Sequence, residues 1–187
     1  VDPDRPRRTH HGSHHLRPHP PVDQGATLSD RTPLQLYVYA VDDNDRPAVL
    51  EAIAEFSLDL EWGQGENPPR HLELGRCYGV HEATLGSSDE LADLLRGSAP
   101  SAVFTLWQDP YMTADGHLVA HVPDVGSYET GCDAEGTPHV DVVDLAARLG
   151  RLAQDATVRD WLSGDGDGLL GVTVLAALHQ HEKSCAA

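Results

Sequence analysis

The sequence predicts an α+β protein built on an antiparallel sheet. Short segments alternate apolar and polar residues with period two. Two amphipathic helical stretches lie between them, and turn residues punctuate the joints. Residues 1–32 stand apart as a Pro-, His- and Arg-rich stretch with no apolar period. That composition is expected to be disordered. Residues 33–187 are expected to form a single domain, long enough to bury one sizeable core.

Order is expected to begin at PLQLYVYAV, residues 33–41. Leu34, Leu36, Val38 and Ala40 alternate there with Gln35, Tyr37, Tyr39 and Val41, the pattern of a strand. Asp45 is placed to cap a helix and Pro47 to occupy its first turn. The helix runs through AVLEAIAEF, with Val49, Leu50, Ile53 and Phe56 on one stripe. LDLEW, residues 58–62, alternates again and reads as a strand, followed by a GQGENPPR loop. Residues 71–83, HLELGRCYGVHEA, read as a further strand because Gly75 and Gly79 are poor helix residues.

SSDELADLLRG, residues 87–97, is expected to be helical, with Ser87 and Glu90 as a capping box and Leu91, Leu94 and Leu95 inward. SAVFTLWQDP is a strand ended by Pro110. Strand, helix, strand, strand, helix, strand is the split βαβ or ferredoxin-like order, here over residues 33–122 once one more strand, GHLVAHVPDVG, is added. Residues 127–139, SYETGCDAEGTPH, read as loop. A C-terminal helical extension, residues 138–182, then begins with VDVVDLAARLGRLA, its Val142, Val143, Leu145, Ala146 and Leu149 turned inward. A short capped helix over 155–164, a flexible DGDG break and a buried apolar segment complete the chain. Residues 169–181 within that last segment read as a helix, although Val172 and Val174 also suit a strand.

Charge is the clearest global signal. Residues 1–31 hold five Arg against four Asp, a balance of +1, while the whole chain is −17, which leaves −18 on the remainder. A body that negative repels phosphate and anionic lipid, so neither nucleic-acid nor membrane binding is expected. No apolar run is long enough for a membrane span. Three cysteines, Cys77, Cys132 and Cys185, give no disulfide framework and point to the cytoplasm. Lys183 is the only lysine, a bias of high-GC or halophilic composition.

Cys77 and His81 lie four apart. On a strand that is roughly 13 Å, too far to share one ion. Cys132 and His139, with Asp109, are the candidates for catalysis, as a thiol, an imidazole and a carboxylate near loops. No zinc, calcium, P-loop or dinucleotide spacing is present, so no cofactor is expected. His10, His11, His14 and His15 form a tract that would bind metal only adventitiously.

The expected binding residues are Trp107, Asp109 and Tyr111 at a strand exit, joined by Tyr37 and Tyr39. Aromatic rings supply contact area and a carboxylate supplies direction. Tyr37, Tyr39 and Val41 line a second sheet face that needs a cover: the C-terminal helices, another subunit or a ligand. The function expected from these features is a non-catalytic, acidic interaction or regulatory module that binds a protein partner or itself. The alternatives are a small hydrolase or transferase with a Cys/His loop site, and an acidic mimic of nucleic acid.

Overall fold

The computed structural model describes residues 30–65, 69–151 and 157–186. The expectations for residues 1–29, including the histidine tract, lie outside the described residues, as do residues 66–68 and 152–156.

The described chain is α+β. Six antiparallel strands form one sheet in the order β2-β3-β1-β4-β5-β6. They are β1 (Arg31–Ala40), β2 (Asp59–Leu60), β3 (Cys77–Thr84), β4 (Val103–Gln108), β5 (Gly116–Val122) and β6 (Gly126–Cys132). Helices α1 (Arg46–Glu55) and α2 (Ser87–Ser98) cover one face. The alternation of β1 drives this layer, since Leu34, Leu36 and Val38 are fully buried against Val49, Ile53, Leu91 and Leu95. Phe104, Leu106 and Tyr78 extend the same core from the neighbouring strands.

The opposite face is closed in part by α6 (Val172–Cys185), whose Val174 and Leu178 pack on Val103, Leu118, Ala120 and Tyr128. Two short helices precede it, α4 (Val158–Leu162) and α5 (Asp165–Leu170). Thr157 and Asp160 form a capping box that starts α4. α5 and α6 meet at Gly171, where φ is +62° and the backbone rests on the Tyr128 ring.

Several expectations are corrected. Residues 126–132 are a strand, not a loop, with Tyr128 and Cys132 buried at alternate positions. The 58–62 strand shrinks to Asp59–Leu60, because Glu61 and Trp62 both take positive φ. Residues 71–76 lie outside the strand, which begins at Cys77 after Gly75 turns the chain at φ +72°. Asp45 does not cap α1 with its side chain, and its Oδ2 instead accepts from the backbone N–H and Oγ of Ser101 at 3.0 and 2.6 Å. No Ser87–Glu90 box forms, because Gly86 is the N-cap and Ser87 is buried inside the helix. The DGDG stretch is helical, as the start of α5. Residues 169–181 are helical in two pieces, split at Gly171.

The largest reversal is α3 (Val142–Leu149). None of its residues is buried, and Val142 and Val143 are each 75 % exposed. Only Leu145, one of the five residues expected inward, and Arg148 are half-covered, while both valines, Ala146 and Leu149 face solvent.

Candidate functional site

Along β1, Tyr37 and Tyr39 point away from α1 and α2, as period two requires. Trp107 joins them from β4, one step diagonal to Tyr37, which pairs with Thr105. The three rings form a row. Tyr37 and Trp107 have centroids 5.5 Å apart and planes within 6°, and Tyr37 and Tyr39 lie at 6.3 Å and 14°. Such offset stacking is the favoured aromatic geometry.

The loop after β6 holds Trp107 in place. Asp133 Oδ1 accepts from the backbone N–H of Glu135 and of Thr137, at 3.0 and 2.8 Å. The Thr137 N–H is the main reason that the Asp133 carboxyl titrates below its ordinary range. This turn lays Gly136 on the indole, and the Ala134 carbonyl accepts from Trp107 Nε1 at 3.3 Å.

A cavity of about 270 Å³ opens beside the row. Tyr37, Tyr39, Thr105 and Leu118 form its floor; Leu175, Leu178 and Glu182 of α6 stand on one side. Glu135 and Pro138 of the loop stand on another. A neighbouring cavity, also about 270 Å³, shares Tyr37, Tyr39 and Glu182 and reaches Gly75 and Cys185. Burial pushes both phenols well above their ordinary range; a hydrogen bond to Cys77 adds for Tyr37, and the charge of Glu182 for Tyr39. Both hydroxyls therefore stay protonated and neutral, and the fixed charge of this face comes from its carboxylates.

Of the other expected residues, Asp109 stays beside the row and near Cys132, while Tyr111 and His139 lie elsewhere. Gln35 Nε2 donates to Asp109 Oδ1 at 3.2 Å, beside the row, but the Asp109 carboxyl lines a different cavity with Ser88, Asp89 and His117. Burial raises its pKa, with Glu135 adding to the effect. Tyr111 bridges to Ala114 and reaches Asp30, away from the row. Cys132 is fully buried, and burial pushes its thiol up to about 12. His139 is exposed and lines a fourth cavity of about 330 Å³ with Asp115, Asp141 and Asp144. Cys132, His139 and Asp109 thus line no common cavity among those seen in the described residues. Cys77 and His81 lie on β3, where Cys77 is buried beside Tyr37 and His81 stacks on Trp62 at 4.6 Å. Among the described residues, no three His, Cys, Asp or Glu side chains are grouped to hold a metal ion.

Sequence reasoning missed one polar group. His117 Nδ1 lies 3.2 Å from Ser88 Oγ and 3.1 Å from Asp89 Oδ1. A hydrolytic triad needs the serine and the carboxylate on opposite ring nitrogens. Here both meet the same nitrogen, and Ser88 is 1 % exposed, so the group ties the start of α2 to β5. Ser88 and His117 are 29 positions apart, and only the folded sheet brings them together. The signals that were present for the loop are Asp133 followed by Gly136, a turn-forming pair.

Among the described residues, no helix is long and apolar enough to cross a membrane. Compared with family models, curated proteins and solved structures, the chain finds no match.

Proposed function

We propose that this protein is a non-catalytic, acidic interaction module that receives a protein partner on the Tyr37–Tyr39–Trp107 face. The observation that carries the reading is the aromatic row itself, half-buried and opening on a cavity framed by Glu135 and Glu182. Aromatic anchors in partly desolvated pockets dominate binding energy at protein interfaces. The buried, protonated thiol of Cys132 argues against nucleophilic chemistry, since the thiolate is the reactive form.

The scaffold for this face is read as a ferredoxin-like unit extended by β5, β6 and the C-terminal helices. Support comes from the order β2-β3-β1-β4, antiparallel at every step, with α1 and α2 sharing one face. The unpaired, sparse cysteines suit a reducing compartment such as the cytoplasm.

The test is an NMR titration of the protein with random-sequence peptide pools that are acidic, neutral or basic. Resonances of Tyr37, Tyr39 and the Trp107 indole should shift with at least one pool. No shift at these residues with any pool would end the proposal.

A further inference from the structure

Resting on the binding face just described, we infer that its partner inserts an arginine side chain, carried on a basic peptide segment. The cavity, about 270 Å³, shares Tyr37, Tyr39 and Glu182 with its neighbour and has room for one long side chain. Its walls are of two kinds. Leu118, Leu175 and Leu178 offer apolar surface, and Glu135 and Glu182 offer carboxylates from two separate elements, the loop and α6.

Arginine has the matching construction. Its three methylenes pack on apolar walls while the charged head reaches the polar rim. Its guanidinium presents five donors in a plane, enough to serve carboxylates on two sides at once. It is also less strongly hydrated than an ammonium, so a half-buried aromatic cavity favours it over lysine. Glu182 stands close enough to the Tyr39 hydroxyl to raise its pKa and lies 3.1 Å from His179 Nδ1, which places its carboxylate at the cavity wall. The charge of the body, −18 over residues 32–187, attracts a basic segment to the protein from a distance, and the cavity then selects among basic side chains.

The experiment titrates the full chain with blocked triarginine, trilysine and tricitrulline, reading the Trp107 indole resonance. Citrulline keeps the shape of arginine and lacks its charge. Triarginine should shift the resonance and bind about ten-fold more tightly than trilysine, with no measurable tricitrulline binding. Glu135→Gln and Glu182→Gln should each weaken triarginine by about ten-fold. Glu51→Gln, on the exposed side of α1, should leave it unchanged. Equal binding of trilysine and triarginine, or equal losses from Glu51→Gln and the cavity variants, would overturn the inference in favour of diffuse attraction to an acidic body. If an acidic or neutral pool shifts the row and triarginine does not, the inference fails while the binding face stands. If nothing shifts the row, both fail.

Discussion

Gly136 and Trp107 are in direct contact at the edge of the cavity. A β-carbon at Gly136 would fall 2.7 Å from indole Cδ2, and its φ of +74° is one that side chains rarely adopt. The loop can therefore lie flat on Trp107 only if residue 136 is glycine. Gly136→Ala should cost about 1–3 kcal/mol and move the Trp107 indole resonance, as measured by chemical denaturation and NMR. An unchanged indole environment would show that the loop does not hold the ring.

Gly171 plays the corresponding part for α6. A β-carbon there would come within 2.3–2.6 Å of the Tyr128 ring, at φ +62°. Gly171→Ala combines left-handed strain with overpacking and should destabilise by about 3 kcal/mol. At roughly 2–4 °C per kcal/mol for a chain of this size, Tm should fall by about 10 °C in calorimetry.

The outward valines of α3 make the opposite prediction. Val142 and Val143 contribute little burial, so the double substitution to Ser should change stability by less than about 0.5 kcal/mol. Leu36→Ala, at a fully buried position, should cost about 2–5 kcal/mol, both variants being measured by urea titration. A large loss from the valine pair would mean that α3 is packed the other way round.

His121 gives stability a pH dependence. It packs on Phe104 at 5.4 Å, with Nδ1 2.8 Å from Ser127 Oγ. Burial lowers its pKa, and the nearby Arg96 charge adds to the effect. The folded state then binds fewer protons than the unfolded state once pH drops below about 6.5, the ordinary histidine value. Its contribution is therefore complete above that pH and declines on acidification toward the lowered folded value. Thermal melts between pH 7.5 and pH 5 should show a larger Tm loss for the wild type than for His121→Gln. Equal losses would remove His121 as a cause.

Local pattern made much of this legible. The alternation at 34–40 separates Leu34, Leu36 and Val38 from Tyr37 and Tyr39, and the sheet keeps that separation. The same rule identifies an apolar face on α3 but not the direction in which it points, and the structure turns it outward. β6 escaped because SYETGC offers only Tyr128 and Cys132 as inward apolar residues, beside a Gly and polar neighbours typical of an edge. Asp109 and Tyr111 follow Trp107 closely in sequence, yet β4 ends at Gln108, and Asp109 stays beside Trp107 and Gln35 while Tyr111 turns away to Ala114 and Asp30. Glu135 and Glu182 had no local signal, because they meet the aromatic row only through the return of the loop and of α6 over the sheet.

The most direct measurement compares Trp107→Ala with Tyr111→Ala, using the tightest peptide recovered from whichever pool shifts the row. Calorimetric titration should show Trp107→Ala weakening that peptide about ten-fold or more, and Tyr111→Ala changing it by less than about two-fold. Equal affinities for wild type and Trp107→Ala, or a loss confined to Tyr111→Ala, would contradict the assignment of this face as the place where the partner docks.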